Sequence, residues 1–304
     1  MAPRGISFDP SRDIPSLDGK VILITGGNAG LGKQAALELA RHNPSQIWIA
    51  ARNTSKASAA ITEIQTQSRA VSVEFLELDL TSFDSIKKAA HIFTTWAPRL
   101  DILMLNAGVM GLPPGHTREG YETLFGTNHV GHALLFKLLT PLLLKSASDA
   151  DVRVVVTSSH GHKFVPKGGV QFESLMTTGA GISVARRYGQ SKLANVLFAQ
   201  EIARRYPELT AVSVHPGTVK TKLNSSSGGS ILLGVLQALV LPFIGQSAVE
   251  GARNLLWACA AKDVVSGEYY EPVGVARKRS SYVVDGDLAR ALWEWTEGQT
   301  RGHC

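Results

Sequence analysis

The chain has 304 residues, 44% of them hydrophobic and 18% charged, which excludes a disordered protein and allows one large core or two small ones. Its 31 basic residues against 25 acidic ones leave +6, and no basic, aromatic-interleaved stretch offers a nucleic-acid surface. Two cysteines exclude a disulfide framework and any zinc site built on paired cysteines, so a reducing compartment, the cytoplasm, is expected.

Residues 1–17 are polar, lack the apolar stretch of a signal peptide and read as an N-terminal arm. From residue 18 to 304 the pattern reads as one domain, with no linker and no internal repeat. A β-branched run at 20–25 closes on Gly26-Gly27, the signature of a buried parallel strand, and helical spacing follows over 31–42. Strands are then predicted at 46–51, 71–78, 102–105, 152–157, 211–214 and 267–270. Helices are predicted at 56–67, 82–96, 121–144, 188–206 and 248–260. This alternation predicts an α/β fold: a single-domain, doubly wound Rossmann-type parallel sheet with helices on both faces. Stretches that break the alternation, chiefly 161–187 and 222–246, follow strand C-termini and are expected to form the substrate loops. The apolar run 231–241 contains Gly234 and Gln237 and stops at Pro242, short of the roughly 20 residues that cross a bilayer. No transmembrane span is expected, while a peripheral membrane contact and a homo-oligomer both stay open.

The turn Gly26-Gly27-Asn28-Ala29-Gly30-Leu31-Gly32 opens directly into a helix, where glycines let the backbone approach a pyrophosphate and the helix N-terminus favours its charge. The second strand ends at Ala51-Arg52, where an NAD site carries an acid, and Lys33 follows the glycine turn. Two cations and no carboxylate suit the 2′-phosphate of NADP(H). Tyr188 and Lys192 are four residues apart on one helix face, and an ammonium beside a phenol lowers its pKa. Thr157-Ser158-Ser159 ends the fifth strand, facing the crevice. His160 and His162 flank Gly161 without a third ligand, so no metal is expected and they are assigned either to the pocket mouth or to solvent. His129 and His132 read as packing or surface residues. Trp293 and Trp295 are assigned either to the core or to a partner surface.

Over roughly residues 18–275 these motifs resemble the short-chain dehydrogenase/reductase family. The family's glycine motif is matched by Thr25, Gly26, Gly30 and Gly32, its adenine-contacting pair by Asp79 and Leu80, and its Asn-Ala-Gly by Asn106, Ala107 and Gly108. The resemblance implies Asn128, Ser159, Tyr188 and Lys192 as the catalytic tetrad. It also assigns Pro216, Gly217, Val219 and Thr221 to the nicotinamide segment. Ser-Lys-Leu-Ala-Asn after the tyrosine is similar to the retinol-dehydrogenase and WW-domain-oxidoreductase branch, and the N-terminal glycine region to filamentous-fungal members. The 29 positions between Ser159 and Tyr188, long for the family, resemble the same branch.

The expected activity is therefore an NADPH-dependent interconversion of a ketone or aldehyde with an alcohol, on a small-molecule substrate that is bulky and apolar. In that reading Tyr188 transfers the proton, Ser159 polarises the oxygen, Lys192 lowers the tyrosine pKa, and Asn128 holds a relay water. The competing reading is a dinucleotide-binding member of the same fold without redox chemistry, either regulatory or a cyclase or isomerase.

Overall fold

The computed structural model describes residues 5–219, 246–277 and 280–303. A short helix α1 (Pro10–Asp13) precedes β1 (Val21–Thr25), which is followed by α2 (Gly30–Ala40) and β2 (Gln46–Ala51). Next come α3 (Thr54–Gln67), β3 (Ser72–Glu77), α4 (Phe83–Trp96), β4 (Ile102–Leu105) and the 25-residue α5 (Thr123–Ala147). The second half runs β5 (Arg153–Thr157), α6 (Val184–Arg205), β6 (Thr210–Val214), α7 (Ala248–Ala260), β7 (Tyr269–Tyr270) and α8 (Gly286–Thr300).

The strands form one seven-stranded sheet in the order β3-β2-β1-β4-β5-β6-β7, every neighbouring pair parallel. Every residue of β1, β4 and β5 is buried, which their unbroken apolar runs require of strands covered on both faces. One core packs Leu39 of α2, Ile64 of α3 and Leu255 of α7 against Ile22, Ile47 and Val155. The opposite core packs Phe93 of α4, Leu134 of α5 and Leu193 of α6 against Leu23, Leu103 and Val154. Because the order reverses between β1 and β4, the loops leaving their C-termini diverge and open a crevice there.

Residues 5–17, read from sequence as an arm, lay Phe8, Ile14 and Leu17 into the first core, and Arg253 of α7 donates to the Phe8 carbonyl. The unforeseen helix α8 covers the second core. Its Trp293 is buried and stacks on Phe198 of α6 with ring centroids 5.5 Å apart. Helix α5 is long and apolar enough to cross a membrane by length and composition, but in this fold most of it is buried against the sheet and α4. Its second turn, Gly126–Val130, is π-helical. Of the loop expected at 222–246, residues 222–245 lie outside the described residues.

Candidate active site

The nucleotide end is built from the turn between β1 and α2. Gly26 (φ 69°) and Gly30 (φ 54°) occupy left-handed backbone that side chains resist. A Cβ on Gly32 would stand 2.6 Å from the Gly26 carbonyl oxygen and 2.7 Å from Asn106 Nδ2, so α2 can start this close to the turn only with glycine. The N-cap residue Ala29 gives α2 no side-chain hydrogen bond, so the first amides of α2 keep the capacity to meet an anion. Asn28 and Leu31, in and just after this turn, are partly exposed. These features fit a dinucleotide pyrophosphate.

Arg52, directly after β2, is exposed and has no ion-pair partner among the described residues. Lys33 differs from the expectation of a second free cation, because its Nζ lies 2.7 Å from Glu63 Oε2 of α3. At the adenine position Asp79 Oδ1 accepts from the Thr81 amide (3.0 Å) and hydroxyl (2.8 Å), and Leu80 is buried. Asn106 and Ala107 are fixed by Thr25, whose Oγ1 accepts from both amides at 2.9 and 3.0 Å. Gly108 has Asn128 on one side and Lys192 on the other, at 3.2 and 3.5 Å from where a Cβ would sit. The glycine of that motif is thus the point where the nucleotide end meets the tetrad.

Asn128 lies in the π-helical turn and is fully buried. Its amide donates to Val109 O and Ser191 Oγ, both at 3.0 Å, and its Oδ1 accepts from Val109 N at 2.8 Å. Both amide hydrogens are therefore taken within the protein. Its backbone carbonyl accepts from His132 Nδ1 at 3.0 Å. A carbonyl only accepts, so His132 Nε2 is the bare nitrogen and takes the Thr25 hydroxyl at 2.9 Å. Sequence reading gave His132 no role beyond packing or surface, although its place four residues after Asn128 was the available signal.

Of the serine pair, Ser158 is buried and donates to the Lys192 carbonyl at 2.7 Å. Ser159 accepts from Gly161 N at 3.1 Å and hydrogen-bonds the Tyr188 side chain. A Cβ at residue 161 would come within 2.9 Å of Tyr188 Cε1, so glycine lets this turn lie flat on the ring. Lys192 Nζ stands 5.7 Å from the centre of the Tyr188 ring and donates to Thr157 O at 3.1 Å. Burial lowers the Lys192 pKa to about 8 and raises that of Tyr188, with the Ser159 hydrogen bond opposing the latter shift. Desolvation of the phenolate sets the direction of the Tyr188 shift.

After β6, Asn254 of α7 donates to the carbonyls of His215 and Tyr270, both at 2.9 Å, and so fixes the approach to Pro216 and Gly217. Gly217 has φ 84°, and Val219 is buried and bridges to Gln246. Thr221 and the apolar run 231–241 lie outside the described residues. No cluster of three or more His, Cys, Asp or Glu able to hold a metal occurs among the described residues. Asn254, and Arg187 before Tyr188, whose guanidinium pairs with Glu122 at 2.8 Å, are positioning residues that sequence reading missed, because neither belongs to a recurring motif.

Comparison with known proteins agrees with this geometry. The sequence profile described as short chain dehydrogenase matches residues 20–230. The short-chain dehydrogenase/reductase drtF of Aspergillus calidoustus is 34% identical over 305 residues, 95% of this chain and 96% of the relative. Retinol dehydrogenase 12 of Mus musculus is 40% identical over 258 residues, 84% of this chain and 78% of that one. A protein of Mycobacterium paratuberculosis with a crystal structure is 32% identical, with a TM-score of 0.75 over 96% of this chain and 97% of that one. With a parallel sheet that opens at β1 and β4, a glycine turn shaped for pyrophosphate and these relatives along nearly its whole length, the chain belongs to the short-chain dehydrogenase/reductase family and is an oxidoreductase of the kind that binds a nicotinamide dinucleotide.

Proposed function

We propose that the protein is an NADPH-dependent carbonyl reductase that also runs in reverse as an alcohol dehydrogenase. The observation that carries this reading is the meeting of Ser159, Tyr188 and Lys192 at the C-terminal end of β5. The glycine turn and the first amides of α2 would hold the pyrophosphate, and Asp79 and Leu80 would border the adenine. Arg52 would take the 2′-phosphate, while Asn106–Gly108, Pro216, Gly217 and Val219 would flank the nicotinamide. When bound, the dinucleotide supplies or accepts the hydride.

In the reduction, the Ser159 hydroxyl holds the carbonyl oxygen and stabilises the charge that develops there. The Tyr188 hydroxyl, whose pKa burial raises above its ordinary value, delivers the proton to that oxygen. Lys192, with its pKa near 8, is poised to exchange a proton beneath the tyrosine. A reducing cytosolic NADPH pool suits the reductive direction.

The likeness to retinol dehydrogenase 12 and to fungal relatives favours a place in the retinol-dehydrogenase-like branch, and a role in specialised metabolism is part of the proposal. The loop after β5 exposes Phe164 and Met176, which favours a bulky, largely apolar substrate. The test is consumption of NADPH across a panel of ketones and aldehydes of increasing size. Turnover that rises with apolar bulk supports the reading. Tight NADPH binding with no turnover on any carbonyl would transfer the protein to the non-redox alternative.

A further inference from the structure

Because β5, β6 and β7 are parallel neighbours, the residues that follow them share one edge of the sheet. That edge gathers His160, next to Ser159, then His215 after β6 and Glu271 after β7. The rings of His160 and His215 are 6.0 Å apart. Glu271 is buried: Oε1 accepts from His160 Nδ1 at 3.0 Å, and Oε2 accepts from the Tyr269 hydroxyl at 2.8 Å. The Tyr269 ring is braced by an edge contact with His162 at 4.9 Å.

A carboxylate only accepts, so the His160 proton on that side sits on Nδ1, while Lys163 Nζ, which only donates, meets the lone pair on Nε2. The His160 side chain is 44% exposed, unlike the carboxylate behind it. Lys163 Nζ lies 3.4 Å from Nε2, so an acceptor and a donor stand side by side, one residue from the serine that holds the reacting oxygen.

We propose that His160 and Lys163, backed by Glu271, form a subsite for a hydroxyl group on the substrate, within a few bonds of the reacting carbonyl. The hydroxyl donates to Nε2 and accepts from Nζ, and both partners are used only by a group able to do both. An ether oxygen at the same place can accept from Nζ but cannot donate to Nε2, so one of the two hydrogen bonds is lost. This inference rests on the carbonyl-reductase reading and narrows it to hydroxy ketones or hydroxy aldehydes.

The experiment compares kcat/KM for α- and β-hydroxy ketones with their O-methyl ethers, for the wild-type chain, His160→Leu and Lys163→Met. The wild type should favour at least one hydroxy ketone by about tenfold, the worth of one well-placed hydrogen bond. His160→Leu should bring that ratio close to one, and Lys163→Met should lower it less. Each ratio is taken on a single protein sample, so partial misfolding cancels. A wild-type ratio near one for every pair, or a ratio that survives His160→Leu, overturns the subsite while leaving carbonyl reduction standing. Absence of turnover on every carbonyl, ethers included, overturns the reductase reading itself and the subsite with it.

Discussion

The Arg187 guanidinium donates to the Glu122 carboxylate over 2.8 Å, at a place where the two side chains are only 2% and 4% exposed. Arg187 also donates to the Leu112 carbonyl at 2.8 Å, and Glu122 Oε2 accepts from Phe125 N at 2.8 Å as the N-cap of α5. One ion pair thus joins the loop after β4, the start of the helix that carries Asn128, and the residue preceding Tyr188. Removing one partner strands a buried charge. Arg187→Met should therefore destabilise the protein by about 3–5 kcal/mol, read as a lower urea midpoint. The double variant with Glu122→Gln should cost less than the sum of the single changes.

Tyr188→Phe keeps the ring against Gly161 and removes only the transferable proton. Turnover should fall by about a hundredfold or more while NADPH affinity, measured by fluorescence titration, stays within about twofold of wild type. Retention of more than a few per cent of the rate would mean that another group donates the proton.

Burial lowers His129 to about 3 and His132 to about 4, with repulsion between the two adding to the fall at His129. Between those values and the ordinary value of about 6.5 the unfolded chain binds protons that the fold refuses. Stability therefore rises with pH through that window and is lost on acidification below about 6.5. His129→Gln can keep a partner for Thr296 Oγ1, now 2.9 Å from the imidazole, but does not titrate. It should flatten the slope of the urea midpoint against pH between 6.5 and 4.5, and an unchanged slope would show that His129 does not contribute.

Cofactor choice should depend unequally on the two cations at the adenosine end. Arg52 is unpaired among the described residues, whereas Lys33 is held by Glu63. Arg52→Ala should lower the preference for NADPH over NADH by about tenfold, the scale of one charge-assisted contact. Lys33→Ala should do less. Glu63→Gln, which releases the lysine, should raise the preference. The three ratios of kcat/KM decide this, and equal effects of the two alanine variants would remove the distinction.

The architecture was legible wherever periodicity was strong. The strands at 46–51 and 102–105 and the helix at 248–260 coincide with Gln46–Ala51, Ile102–Leu105 and Ala248–Ala260. Helix α6 starts four residues earlier than expected, because Ser183 caps it by accepting from Arg186 N, a polar signal hidden in the long loop. Helix α8 carried a readable pattern, with Leu288, Ala289, Leu292, Trp293 and Thr296 on one stripe and Asp285 as N-cap. That pattern lies beyond the span of the family motifs. The motif residues of the site could be found one by one, since each has a chemical type and a strand end. The bonds that hold them could not, because Arg187–Glu122 and Asn254 with His215 and Tyr270 join segments far apart in sequence. The direction of the Tyr188 pKa shift was also beyond reach, since it depends on burial rather than spacing.

The π-helical turn at Gly126–Val130 gives α5 two independent phases. A π turn contains one residue more than an α turn, and one residue of an α-helix subtends about 100°. Upstream of it, Glu122 and Phe125 are oriented toward Arg187 and the second core; downstream, Leu134, Leu139 and Leu143 are locked into the sheet. Excising a single residue within the turn would leave an uninterrupted α-helix of normal hydrogen bonding, yet it would rotate everything before it by about that angle. Such a deletion would lengthen the regular helix and disassemble the tetrad in the same event, so the length of this turn is under tighter constraint than its composition.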